Sequence, residues 1–199
     1  MREGLPENPD GLRIGLLGGS FDPPHEGHAL ISRRALATLG LDRVWWLPTP
    51  GNPLKPRPPA DLARRLAACR RAAPGPRVKV TDIEARLGTR YTVDTLRHLR
   101  AMCPRTRFVW LMGADNLAQL HRWRRWDEIM RLVPVAAFAR PGAMVAAGLS
   151  PAAQRFARAR LRPEAARALA LADPPAWTLL PGPTSPLSST MIRASGAWP

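Results

Sequence analysis

At 199 residues the chain is long enough to bury one full core. Its 45% hydrophobic content is that of a globular protein, and no apolar run nears the ~20 residues that would span a bilayer. The formal charge of +15 raises the question of a nucleic-acid surface. The basic residues, however, are almost all arginine, with Lys55 and Lys79 the only lysines, and they are spread without a dense block. Compositional bias explains that spread as well as any ligand does, so nucleic acid is not the primary expectation, although the positive field would draw in anionic nucleotides. Cys69 and Cys103 exclude a disulfide framework and, with His98 and His121 scattered singly, form no metal-ligand cluster. No protein-held metal is expected. Met1 to Asp10 is polar and has no apolar signal core. Residues 1–11 therefore read as a flexible lead-in to a cytoplasmic protein, and 12–199 as one domain.

Leu12 to Leu17 is apolar enough for a strand buried on both faces. It runs into Gly18-Gly19-Ser20-Phe21-Asp22-Pro23-Pro24-His25-Glu26-Gly27-His28. A strand, a glycine turn and a helix start form the arrangement that holds phosphate in α/β proteins. His25 and His28, three apart, share one face if the helix begins at the first of them. Imidazoles there can donate to phosphate oxygens, and Gly27 leaves the approach clear. Neither a P-loop nor a G-x-G-x-x-G sequence occurs. The helix is expected from about Gly27 to Leu39, with Leu30, Ile31, Ala35, Leu36 and Leu39 inward, Gly40 closing it, and Arg33 and Arg34 solvated.

Arg43 to Leu47 predicts a second strand, followed by a proline-rich loop that carries Lys55, read equally well as a phosphate ligand or a linker lysine. Asp61 to Ala73 predicts a helix with Leu62, Leu66 and Cys69 inward and Arg64, Arg65, Arg70 and Arg71 solvated. Arg77 to Ile83 alternates as a third strand. Thr92 then fits the N-cap of a helix reaching about Met102, and that helix start can hold a carboxylate or a phosphate. Arg107 to Met112 is a fourth strand leading into Gly113-Ala114-Asp115. Gly113 permits close approach, and Asp115 suits a ribose hydroxyl or a helix cap. Trp123 and Trp126 follow, either of which can stack on a ring, although Trp126 reads as core. Leu132 to Ala139 is a fifth strand. Residues 140–175 hold one or two short helices with Phe156 and Leu161 inward, and Ala176 to Leu180 is a last strand. Serines at 188 and 189 can cap a final turn, where Arg193 can grip phosphate oxygens.

The block from Gly18 to His28 resembles the H-x-G-H nucleotidylyltransferase superfamily, and in its fuller form the bacterial nicotinate-nucleotide adenylyltransferases. Tyr91-Thr92-Val93-Asp94-Thr95-Leu96, Gly113-Ala114-Asp115 and Leu187-Ser188-Ser189-Thr190-Met191-Ile192-Arg193 match further blocks in the family order, with Leu187 a conservative departure. The resemblance spans Ile14 to Arg193. It implies a doubly wound, Rossmann-like parallel sheet of about five or six strands with helices on both faces. It further implies transfer of AMP from ATP to nicotinate mononucleotide, giving deamido-NAD and pyrophosphate. By the same resemblance His25, His28, Lys55 and Arg193 act on the phosphates. Gly18, Gly19, Ser20, Phe21, Gly27, Gly113, Asp115, Ser188, Ser189, Thr190 and Ile192 hold ATP. Asp22, Tyr91, Thr92, Trp123 and Arg124 hold the mononucleotide, with Trp123 as the pyridine platform. Magnesium is expected to come with ATP rather than to occupy a protein site. The same chemistry on nicotinamide mononucleotide or phosphopantetheine is the near alternative, and a basic nucleic-acid-binding protein the distant one. No residue pattern specifies an oligomeric state.

Overall fold

Six apolar runs dictate the scaffold: β1 (Arg13–Gly19), β2 (Arg43–Pro48), β3 (Val78–Val80), β4 (Arg107–Gly113), β5 (Val135–Phe138) and β6 (Trp177–Leu180). In the computed structural model, which describes residues 4–51 and 58–198, they form one parallel sheet ordered β3-β2-β1-β4-β5-β6. Strand order reverses between β1 and β4, and an open α/β sheet binds its ligand beyond the carboxyl ends at such a point. The last pair between these strands joins Leu17 to Leu111, so Gly18 and Gly19 pair only with β2, while Met112 and Gly113 pair with β5. A crevice opens there.

Period-two alternation sends side chains to two cores. Ile14, Leu16, Trp45, Leu47, Phe108, Trp110 and Met112 face one layer. That layer is made by α4 (Thr92–Met102), α5 (Ala114–Gln119), α6 (Trp126–Leu132), α7 (Met144–Gly148) and α8 (Pro151–Arg155). Leu17, Val44, Trp46, Val109 and Leu111 face the other. There they meet α1 (Glu26–Thr38), α2 (Leu62–Ala72) and a long 3-10 segment, Pro163–Leu171. The expected fold class, with six strands and helices on both faces, is the one observed.

Several boundaries move. The third strand stops at Val80, because Ile83 opens a one-turn helix, α3 (Ile83–Arg86), after Thr81 Oγ1 accepts its N–H at 3.1 Å. The fifth strand starts at Val135, because Leu132 completes α6 and Pro134 follows. The stretch 140–175 holds two short helices, α7 and α8, as expected, and beyond them 3-10 turns, with Gly148, Pro151 and Pro163 interrupting it.

The described part of the expected lead-in, 4–11, is fastened to the domain. Glu7 accepts from Trp45 Nε1 at 3.2 Å and from Arg43 Nε at 3.0 Å, and Pro9 O accepts from Thr106 Oγ1 at 2.8 Å. Two arginines expected in solvent are not there. Arg34 donates to Pro181 O and lies 5.3 Å over the Phe138 ring. Arg65 is 1% exposed.

Candidate active site

At the end of β1 the chain must turn in little space. A Cβ on Gly18 would lie 2.4 Å from the Trp110 ring, so only glycine lets the two strands stay this close. Phe21 has φ 46°, a left-handed conformation that costs a non-glycine residue about 1–3 kcal/mol and persists only where its surroundings hold it. The surroundings do: its ring stacks on Trp46 at 5.1 Å and lies tilted against His28 at 4.4 Å.

His25 caps α1, and the two histidines orient each other. His25 Nδ1 accepts the Gly27 N–H at 3.1 Å, and His28 Nδ1 accepts the His25 N–H at 3.1 Å. A neutral ring whose Nδ1 accepts carries its proton on Nε2. Both imidazoles, 4.0 Å apart, therefore have Nε2–H as their donor, and His28 Nε2 lies beside Gly19 at the cavity wall. Burial, and then the Arg140 guanidinium, push the His25 pKa down to about 4, so this ring is neutral at pH 7. Gly27 is required here as well: a Cβ would meet both Arg140 Nη1 and the His25 ring at 2.8 Å.

Arg140 leaves the carboxyl end of β5. Its guanidinium donates to Ser185 O at 3.3 Å and to Leu187 O at 3.3 and 3.4 Å, and faces Asp115 at 3.8 Å. It thus anchors the last turn, α9 (Ser189–Ala194), whose N-cap Ser188 accepts from Met191 N at 3.2 Å. Ser189 Oγ donates to Pro23 O at 2.9 Å, fastening α9 to the motif loop. Arg193 is not aimed into the cavity. It donates to Asp22 O and lies 3.7 Å from the Asp22 carboxylate, which also accepts from Trp198 Nε1 at 2.7 Å.

Across the cavity, α4 begins one residue earlier than expected. Tyr91, extended at φ −120°, holds the N-cap position and Thr92 is already helical. No side chain caps the helix, so its first N–H groups are left for solvent or a ligand. The Thr89 and Thr95 hydroxyls bond each other at 2.9 Å, and Thr95 donates to Glu84 Oε1 at 3.2 Å, which holds the 84–92 segment in place. Burial pushes the Glu84 carboxyl up to about 7 against the opposing hydroxyls of Thr49 and Thr95. Arg124 lies 4.6 Å over the Tyr91 ring, and half-buried Trp123 meets Trp110 edge-on at 6.4 Å. Trp126 packs against Phe156 at 6.1 Å, as core.

These elements enclose a cavity of about 630 Å³. Gly18, Gly19, Ser20, Phe21, His25, Gly27 and His28 line one end, with Ser188, Ser189 and Thr190 over them. Gly113 and Asp115 lie between, and Tyr91, Thr92, Trp123 and Arg124 line the far end. Of the expected residues, Asp22, Ile192 and Arg193 are not among the lining side chains, because the C-terminal turn and Asp22 satisfy each other behind the motif loop. Lys55 lies outside the described residues. Arg140, Glu84, Arg90 and Arg122 also line the cavity and were missed. For Arg140 a signal existed, since it directly follows a strand at its ligand-facing end.

Residues 16–195 match the family described as cytidylyltransferase-like. A relative from Cereibacter sphaeroides, named a probable nicotinate-nucleotide adenylyltransferase, is 64% identical over 93% of this chain and 98% of its own. One of the same name from Ruegeria pomeroyi is 56% identical over 100% of this chain and 93% of its own. Among solved structures, the fold is similar to that of the Plasmodium falciparum nicotinic acid mononucleotide adenylyltransferase complexed with NaAD. That likeness has a TM-score of 0.69 at 14% identity, covering 91% of this chain and 82% of that one.

Proposed function

The chain belongs to the cytidylyltransferase-like family, and from that premise we infer that it transfers AMP from ATP to nicotinate mononucleotide, releasing deamido-NAD and pyrophosphate. A phosphate oxygen of the mononucleotide attacks the α-phosphorus of ATP, and the bond from that phosphorus to the leaving pyrophosphate breaks. The nucleophile is already an anion at neutral pH, so no general base is needed. What the protein must supply is alignment and donors for the charge that gathers on the α-phosphate and the leaving group.

The observation that carries the reading is the imidazole pair with both protons held on Nε2, next to the glycine turn and Arg140. Neutral donors at fixed positions stabilise a phosphoryl oxygen without reorganising. A bound polyphosphate would raise the His25 proton affinity, opposing Arg140. Asp115, beyond Gly113, suits the ribose of ATP. The uncapped start of α4 suits the nicotinate carboxylate, with Trp123 under the pyridine ring and Arg124 backing Tyr91. Arg193 holds Asp22 O through Nη1 while its Nη2 reaches Thr190 of the cavity lining, so it stays a candidate for the phosphates, as does Lys55. Magnesium enters as part of the MgATP substrate. In this reading it is held mainly by phosphate oxygens and water. No helix of the described residues is long and apolar enough to cross a membrane.

The test is pyrophosphate release from MgATP with nicotinate mononucleotide, nicotinamide mononucleotide or phosphopantetheine as acceptor. Release with the nicotinate form in clear preference is expected. Preference for another acceptor would discard the pyridine-end assignment, and no release with any of them would discard the reaction.

A further inference from the structure

Arg65 is the most deeply buried charge in the described structure, on a helix that contributes no side chain to the cavity lining. An unbonded buried guanidinium would be strongly destabilising. Here three backbone carbonyls receive it: Nε donates to Ala60 O at 2.6 Å, and Nη1 donates to Ser20 O at 2.7 Å and to Thr49 O at 2.8 Å. Burial lowers its proton affinity, and the Asp22 carboxylate opposes that. Two of the three acceptors, Ser20 and Thr49, belong to residues that line the cavity. Thr49 is itself joined to the glycine turn, through its N–H to Gly19 O at 2.9 Å.

The bond to Ser20 O matters because of peptide geometry. The C=O and the following N–H of a trans peptide point in opposite directions from one plane. Holding Ser20 O on Arg65, away from the cavity, turns the Phe21 N–H the other way. The same plane sets φ of Phe21, the residue with the strained value of 46°. Such a conformation relaxes unless its neighbours over-determine it. Ring stacking fixes the Phe21 side chain; the guanidinium fixes the peptide before it.

We propose that Arg65 is a positioning residue for the reaction: by clamping the carbonyls of Ser20 and Thr49 it holds the Phe21 N–H toward the polyphosphate of ATP. The guanidinium itself touches no substrate. This rests on the adenylyl-transfer reading, so pyrophosphate release by the unmodified protein is established first, and its absence would count against that reading alone.

Arg65→Lys keeps the charge but has one nitrogen where two are used. We expect kcat to fall by about 10- to 100-fold while KM for the mononucleotide, bound at the far end, stays within about threefold. The second readout is independent of turnover. With phenylalanine labelled with 15N, only four amides appear. The Phe21 amide should shift on addition of a non-hydrolysable ATP analogue in the parent, and that shift should shrink in Arg65→Lys. Should the lysine variant not fold, Arg65→Gln, which buries no charge, replaces it in both measurements. A folded variant with parental kcat, or a Phe21 amide that ignores the nucleotide in the parent, would overturn the proposal. So would equal losses in kcat and mononucleotide affinity, which would mark Arg65 as a support of the whole fold.

Discussion

The two ends of the cavity are built on opposite principles. At the motif turn the frame is tied down by its own bonds: His25 Nδ1 to the Gly27 N–H, His28 Nδ1 to the His25 N–H, Ser20 O to Arg65, Pro23 O to Ser189, and Asp22 to Arg193 and Trp198. At the far end the helix start is uncapped, Trp123 is half-buried, and Arg90, Arg122 and Arg124 stand exposed. A site that stabilises charge as it moves must be rigid before the substrate arrives, because reorganisation would consume the gain. A site that only grips a ring and a carboxylate can leave its donors and aromatic faces open to solvent until they are covered. In the proposed reaction the fixed end is therefore expected to govern kcat and the open end KM.

That division can be broken by substitution. His28→Ala removes a donor at the fixed end and should lower kcat by about 10²- to 10³-fold while leaving mononucleotide KM nearly unchanged. Steady-state kinetics with each substrate varied would check it, and a loss carried by KM would erase the distinction. Trp123→Ala should do the reverse. Losing a stacking partner worth about 0.5–1.5 kcal/mol raises mononucleotide KM by up to about tenfold, with kcat little changed.

The smallest effect concerns the segment that carries the open end. The folded-state pKa of Glu84 is raised from 4.5 to about 7 by burial. The folded protein therefore holds a proton that the unfolded chain has lost, and the stability this gives is present below pH 4.5 and lost as pH rises through 7. Glu84→Gln keeps an acceptor for Thr95 and abolishes the titration. Its melting temperature should match the parent near pH ~4 and exceed it by a few degrees near pH ~8. A difference that does not change with pH would place that titration elsewhere.

Much of this site was legible because its signals are local. A strand, two glycines and two histidines three apart predict a turn, a helix start and a shared face, and the imidazole pair sits where that spacing puts it. Thr92 misled by one position: Tyr91 takes the extended backbone of the cap, since the Thr89–Thr95–Glu84 hydrogen bonds fix where the helix begins. Arg65 was invisible for a different reason. Its neighbours Arg64, Arg70 and Arg71 share its composition and lie exposed, and only the fold brings Ser20, 45 residues away in the chain, to its guanidinium. Arg193 shows the same limit. Its place after the serines speaks of phosphate, yet in the fold its partner is Asp22.

Apolar period and the spacing of glycine and histidine act within a few residues, so most of the strands and helices, the phosphate turn and the order of the functional blocks are readable along the chain. Long-range packing set the strand order with its opening between β1 and β4, the tied and open ends of the cavity, and which arginines become part of the frame. Those depend on partners far apart along the chain, and no local pattern says which of many arginines will find a carbonyl to bury against.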